Sequence, residues 1–390
     1  MELHPRARSL QTESAFKVLA RARELERAGR EIVHLEIGQP DFPSPPHACD
    51  AAIQAIREGK TGYGPTPGLP ELRQAIAEDA GRRRGVRFEQ GQVIVTPGAK
   101  PIIFYTVHAL AGPGDEVIYP DPGFPMYASV IAHSGAKGVP LRLREERGFG
   151  FDPEDFLRLV SPRTRLVIIN SPQNPTGGAL TTGDLSVIAA EAVRRGFAVL
   201  SDEIYINFQY DGPFQSISTY PGMAERTVVL DGFSKSYAMT GWRLGYGIVP
   251  PEWAEAFELY NVNIVSCAAT FSQHGALEAI RGPQDGVAAM VAEFRRRRDY
   301  LVGELNRIPG LRCRIPGGAF YAFPNITGTG LSSTEASGRL LEEAGVATLA
   351  GNSFGQGGEG FIRLSYATSL ENLQKAVDRM KRFFCGVVKA

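Results

Sequence analysis

Cysteine and histidine are scarce in this 390-residue chain, with four of the first and six of the second. The cysteines (Cys49, Cys267, Cys313 and Cys385) stand far apart and form no Cys-x-x-Cys pair. A disulfide framework or zinc site is therefore not expected, and reduced thiols in a cytoplasmic setting fit the pattern. The histidines show no ligand-like spacing, which argues against a metal enzyme. Net charge is lacking too, since 42 Lys and Arg balance 42 Asp and Glu. No overall field draws the chain to nucleic acid or to an acidic membrane surface. No stretch approaches the roughly 18 apolar residues that a bilayer span needs. Residues 1–12 are polar and lack the apolar core of a secretory signal. Internal repeats and low-complexity segments are also missing.

Hydrophobic residues make up 43% of the chain, enough for a large core. The length exceeds that of one compact domain. The expected division is an arm and packing segment over residues 1–45, a large domain over 46–285 and a smaller α+β domain over 286–390.

Residues 14–28 read as an amphipathic helix, with Phe16, Leu19, Ala20 and Leu25 apolar. A strand-like run at 32–37 leads into Gly38-Gln39-Pro40-Asp41-Phe42-Pro43, which is full of turn residues. The runs 93–96, 116–119, 166–170, 197–201 and 227–231 are rich in β-branched residues and continuously apolar. Strands buried on both faces have that texture. Residues 244–249 are a further strand candidate. Helical patterns such as 101–110 and 185–195 lie between the runs, which predicts a mostly parallel α/β sheet. Later come helices over 287–305 and 370–384 with short strands between them. Arg295 to Arg298 read as a solvated helix face, and Met239 and Trp242 as packing residues.

In an open parallel sheet, ligands bind beyond the carboxyl ends of the strands. There the sequence has Gly98-Ala99-Lys100, Pro120-Asp121-Pro122-Gly123-Phe124, Asn174-Pro175-Thr176-Gly177, Asp202-Glu203-Ile204-Tyr205 and Phe233-Ser234-Lys235. Glycines, an aromatic ring, an amide, a carboxylate, a phenol and a lysine thus meet on one edge. Gly98-Ala99-Lys100 also precedes an apolar helix, whose free N–H groups and dipole favour an anion.

These segments, with Tyr63-Gly64-Pro65, the frame from Ser234-Lys235 through Met239-Thr240-Gly241-Trp242-Arg243-Leu244-Gly245, and Arg363-Leu364-Ser365-Tyr366-Ala367, carry a resemblance. The sequence resembles the class I/II aminotransferases that depend on pyridoxal 5'-phosphate (PLP), in the branch of prokaryotic aspartate aminotransferases. The resemblance covers nearly the whole chain. It implies PLP fold type I: an α/β large domain with a mostly parallel seven-stranded sheet flanked by helices, plus a smaller α+β domain. It also implies amino-group transfer between an L-amino acid and a 2-oxo acid by a ping-pong route.

The resemblance assigns roles residue by residue. Lys235 would hold the cofactor as a Schiff base and move the substrate Cα proton as base and acid. Asp202 would face the pyridine nitrogen, and Tyr205 and Asn174 the phenolic oxygen. Gly98, Ala99, Ser234 and Arg243 would bind the phosphate, with Tyr63 reaching it from the neighbouring subunit of a homodimer with shared sites. Phe124 would cover the ring face. Arg363, with Gly38 and Asn174, would clamp the substrate carboxylate.

Lys100 falls where aspartate-specific relatives have a lysine that contacts a distal carboxylate, which points to aspartate with 2-oxoglutarate. Pro101-Ile102-Ile103 and Pro122-Gly123-Phe124 depart from that group, leaving alanine or an aromatic amino acid open. The alternative function is a PLP-dependent carbon–sulfur β-lyase, because fold alone does not fix reaction type. A non-enzymatic scaffold would be expected to lack Lys235.

Overall fold

The order of short buried strands and helices read from the sequence is realised along most of the chain. The computed structural model describes residues 9, 10 and 14–388, so most of the segment 1–12 discussed above lies outside the described residues. A two-residue strand, β1 (Val33–His34), comes first. Eight strands then form one sheet: β2 (Val93–Thr96), β3 (Glu116–Asp121), β4 (Lys137–Arg144), β5 (Gly150–Phe151), β6 (Thr164–Asn170), β7 (Ala198–Asp202), β8 (Thr227–Gly232) and β9 (Gly245–Ile248). Their spatial order is β2-β9-β8-β7-β6-β3-β4-β5. Strands β8, β7, β6, β3 and β4 run parallel, while β9 is antiparallel to both β2 and β8.

The sheet thus has one strand more than the seven expected, the two-residue β5 paired antiparallel with β4. Strand β4 was not evident in the sequence. It alternates exposed and buried residues and carries Pro140, and proline is tolerated only where one side of a strand is open. Pro140 lies opposite Tyr119 of β3, and β5 covers only Leu143 and Arg144 on the other side.

Successive side chains of a strand point to opposite faces. Accordingly Ile168 and Leu200 pack in one core with Ile102 and Ile103 of the helix Lys100–Leu110. Val167, Ile169 and Val199 pack in another with Leu185 and Ile188 of the helix Thr182–Arg195. Each fully buried Ile or Leu contributes roughly 1.5–3 kcal/mol. Thr181 and Asp184 form a reciprocal capping box at the start of the second helix, and Gly196, left-handed at φ 77°, ends it.

The remaining strands are β10 (Tyr321–Ala322), β11 (Val346–Ala347), β12 (Leu349–Ala350) and β13 (Ile362–Ser365). Strand β13 lies between β10 and β12, antiparallel to both, and β1 pairs parallel with β11. The run expected as a strand over 32–37 is regular only at Val33–His34. Beyond it, Leu35 N donates to Ala347 O (3.0 Å) and Ser365 N donates to Leu35 O (2.7 Å). Residues 37–39 then leave the strand and line the candidate site.

Arg295 to Arg298 do not form one solvated face. Four consecutive residues turn through most of a helical circle, so Arg297 and Arg298 of the helix Asp285–Leu305 point inward. Arg297 is paired with Asp41 (2.7 Å) and Glu293 (2.9 Å) and lies against the rings of Phe42 and Phe294. Arg298 reaches Asp211 (3.0 Å) and donates to Pro316 O (2.9 Å). Met239 is fully buried, and Trp242 donates from Nε1 to Ser44 Oγ (2.9 Å). All four cysteines are free thiols. Among the described residues, no helix is long and apolar enough to cross a membrane, and no group of His, Cys, Asp or Glu is arranged to hold a metal ion.

Candidate active site

A cavity of about 500 Å³ opens at the carboxyl ends of the parallel strands. The segments following the strands supply its lining: Ala99 and Lys100 after β2, Phe124 after β3, Asn174 after β6, Asp202 and Tyr205 at the end of β7, and Ser234 and Lys235 after β8. Gly38, Arg243 and Arg363 complete this set.

Lys235 sits in the short helix Phe233–Ser236 that follows β8 directly, and its Nζ donates to Gly38 O at 2.6 Å. Gly38 has no room for a side chain, since a Cβ there would lie 2.0 Å from the Tyr321 hydroxyl. Arg363 projects from β13 and is buried. Its Nη1 donates to Asn174 Oδ1 (2.9 Å) and its Nη2 to the main-chain oxygen of Glu36. The guanidinium lies 4.5 Å from the Tyr321 ring centre and 5.0 Å from that of Phe354.

Asp202 ends β7 and is buried. Its Oδ2 accepts from the Tyr127 phenol (2.6 Å) and its Oδ1 from Ile204 N (3.2 Å). Burial pushes its carboxyl up to about 6, against the downward pull of these two bonds. Asn170 links the adjacent turn to this strand: its Nδ2 donates to Asp202 O (3.0 Å) and its Oδ1 accepts from Asn174 N (2.9 Å). The Tyr205 hydroxyl lies 2.8 Å from that of Tyr321. Burial, followed by the neighbouring Tyr321, lifts the Tyr205 phenol well above its usual range, so it keeps its proton as a potential donor.

The helix Lys100–Leu110 has no side-chain cap at its start. Gly98, left-handed at φ 80°, turns the backbone tightly against Arg243, and a Cβ at Gly98 would lie 2.3 Å from the guanidinium. From behind, a Cβ at Gly245 would meet Ala99 N at 2.4 Å. Arg243 donates from Nη1 to Thr240 O (2.8 Å). Lys100 Nζ lies 5.6 Å above the Phe124 ring centre. Two sequence candidates stand apart from the lining. Gly98 backs Arg243 rather than facing the cavity, and Tyr63 is 93% exposed in its loop.

Several lining residues were not singled out in the sequence: Tyr127, Asn170, Tyr321, Phe354, Thr240 and Ser14 to Phe16 at the start of the first helix. Asn170 ends a predicted strand and could have been found by that position. Tyr127 and Tyr321 lie 75 and 116 residues from the groups they bond, and no local pattern marks them.

The donor set fits PLP. An uncapped helix start beside a guanidinium suits a dianionic phosphate. A buried carboxylate whose proton affinity is raised suits a protonated ring nitrogen. A lysine amine stands at the same cavity.

The family described as aminotransferase class I and II matches residues 30–380. The chain belongs to the class I and II aminotransferases. A probable aspartate/prephenate aminotransferase of Aquifex aeolicus is 39% identical over 387 residues, covering 97% of this chain and 98% of that protein. The aromatic-amino-acid aminotransferase 2 of Thermococcus litoralis is 41% identical over 359 residues, covering 90% of this chain and 91% of that one. The crystal structure of an alanine aminotransferase from Pyrococcus furiosus superimposes with a TM-score of 0.94 at 34% identity, covering 99% of this chain and all (100%) of the other. The aminotransferase fold is therefore type I, and the protein is a transaminase using an amino acid and a 2-oxo acid. The β-lyase alternative is not favoured by these relatives.

Proposed function

We propose that this aminotransferase works with PLP, takes dicarboxylic amino acids and 2-oxo acids as substrates, and acts as a cytoplasmic homodimer by a ping-pong route. The observation that carries the reading is the meeting of the Lys235 amine, the Asp202 carboxylate and the Arg363 guanidinium at one cavity. When bound, PLP supplies a carbon that accepts the amino group and a cationic ring that draws electrons from the substrate Cα.

The chain's own residues would do the rest. Arg363, with the Gly38 backbone and the Asn174 amide, would grip the substrate α-carboxylate and orient the Cα–H bond. Lys235 Nζ would take the Cα proton and return one later in each half-reaction. Asp202 would hold the proton on the ring nitrogen, supported by Tyr127. Tyr205 and Asn174 would face the phenolic oxygen and Phe124 one ring face. Ala99, Ser234 and Arg243 would receive the phosphate, with Gly98 shaping the turn behind Arg243.

Lys100 would contact the distal carboxylate of aspartate, glutamate or 2-oxoglutarate, which its position on the cavity wall supports. Tyr63 would complete the phosphate site of the partner subunit. Its exposure, and that of the large apolar residues Ile53, Ile56, Leu259, Val262 and Ile264, supports a dimer. We read residues 1–45 as an arm and packing segment, 46–285 as the cofactor domain and 286–390 as the small domain, which would close over bound substrate and exclude water.

The test is the absorbance of the PLP-loaded protein mixed with single amino acids and no 2-oxo acid. Aspartate or glutamate should remove the visible band fastest, with stoichiometric release of the matching 2-oxo acid. Continuous release of ammonia with the band intact would mean elimination instead. No visible band after addition of PLP would overturn the assignment of Lys235.

A further inference from the structure

Behind Arg363 lies a chain of charged groups that the amino-transfer chemistry does not use. Glu36 is fully buried (0% exposed). Its Oε1 is 2.8 Å from His34 Nδ1, and its Oε2 has no hydrogen-bond partner among the described residues. On the other side of the imidazole, His34 Nε2 is 3.0 Å from Glu26 Oε1 in the helix Ser14–Arg27. An isolated buried carboxylate is costly, so Glu36 depends on the imidazole for compensation. The Glu36 hydrogen bond first, and then that of Glu26, raise the imidazole to about 9 despite its partial burial. At neutral pH it is therefore an imidazolium donating from both nitrogens.

The backbone of the same residues touches the site. The Glu36 carbonyl accepts from Arg363 Nη2, and two residues later the Gly38 carbonyl accepts from Lys235 Nζ. Residues 36–38 are thus a strap bearing on both the carboxylate-binding arginine and the lysine. The glycine end of the strap has no side chain to anchor it, whereas Glu36 is anchored through His34. Main-chain bonds fix Leu35 just ahead, so the Glu36 side chain is the tether that sets where the Glu36 carbonyl points.

We infer that His34 is a positioning residue for substrate binding: clasped between Glu26 and Glu36, it fixes the Glu36 carbonyl against which the Arg363 guanidinium is aligned. The inference rests on the reading that Arg363 grips the substrate carboxylate. That grip holds the bound substrate and also orients its Cα–H bond, so disturbing it raises KM and lowers kcat, while the succinate constant reads the binding part alone.

The test compares the PLP-loaded wild type with His34→Gln, with the double variant His34→Gln/Glu36→Gln, and with Arg363→Gln. The readouts are KM and kcat for aspartate and the dissociation constant of succinate, which carries no amino group. His34→Gln should raise KM and the succinate constant about tenfold, with a fall in kcat smaller than that rise. The double variant removes the buried charge with its partner and should return both constants to within about threefold of wild type. If His34→Gln changes neither constant while Arg363→Gln raises both, the inference fails and the carboxylate grip stands. If Arg363→Gln changes neither, the grip fails and takes the inference with it. A double variant as impaired as the single would also overturn the charge-pair explanation. Should His34→Gln not fold, Glu26→Gln at the outer end carries the test: about a threefold rise in both constants is expected, and no change overturns the inference.

Discussion

The phenol of Tyr127 donates a 2.6 Å hydrogen bond to Oδ2 of Asp202 at the floor of the cavity. That bond holds down the proton affinity of a carboxylate that burial raises. Removing it by Tyr127→Phe should weaken PLP binding by about tenfold or more, the size of a hydrogen bond to a charged group. Asp202 titrates at about 6 in the cofactor-free protein, so PLP affinity should fall as pH drops through that value, and the fall should begin at higher pH in Tyr127→Phe. Titrating cofactor-free protein with PLP between about pH 5 and pH 8 checks both statements. Identical curves for the two proteins would mean the bond has no influence on Asp202.

Lys235 projects from the first turn after β8 into the cavity. Lys235→Ala should abolish the covalent absorbance of bound cofactor and cut kcat by at least about 10²–10⁴-fold, the range supplied by a positioned acid–base group. Stopped-flow measurement of aspartate deamination would read the loss. Adding methylamine should restore part of the rate if the missing function is proton transfer.

Lys100 lines the cavity, its Nζ over the ring of Phe124. Lys100→Ala should raise KM for aspartate and 2-oxoglutarate by about tenfold and for alanine by no more than about twofold. Equal changes for both classes would remove the distal-carboxylate role.

His34 makes stability depend on pH. Its folded value of about 9 lies above the ordinary 6.5 of an unfolded chain. Its contribution is therefore whole below about pH 6.5 and disappears as pH rises through about 9. Thermal melts of wild type and His34→Gln should differ most near pH 6 and converge near pH 10. A gap that stays constant over that range would argue against an imidazolium.

Tyr63 is exposed in a single chain. If it reaches the phosphate of a second subunit, Tyr63→Phe should weaken PLP binding by about threefold to tenfold, and light scattering should report dimers for both proteins. A monomeric wild type with full activity would end the shared-site reading.

The lysine, carboxylate and amide of the site were legible because each follows a run of β-branched residues that must be a buried parallel strand. The carboxyl ends of such strands point one way, so naming the strands also named the residues that meet. Strand β4 was harder: half exposed and interrupted by Pro140, it lacks the continuous apolar texture of its neighbours, and the proline masks its alternation. Tyr127 and Tyr321 bond across long stretches of chain, and long-range partnership has no periodic signature. The arginine run failed for the opposite reason. Charge suggested solvent, but helical rotation carried Arg297 and Arg298 inward, where carboxylates and aromatic rings already waited. Glu36 and His34 were part of a strand-like run whose polar members gave no hint that one would be fully buried.

The close fit of Gly245 behind Ala99 gives the cavity two kinds of lining. Behind Ala99 the packing is backbone on backbone, where a methyl added at Gly245 would collide with Ala99 N at 2.4 Å. Lys100 and Phe124 instead offer side-chain tips that can be exchanged without moving the chain. With such a lining the substrate range can change while the backbone of the site stays as it is. The matched relatives, named for aspartate and prephenate, for aromatic amino acids and for alanine, are the spread such a construction would produce.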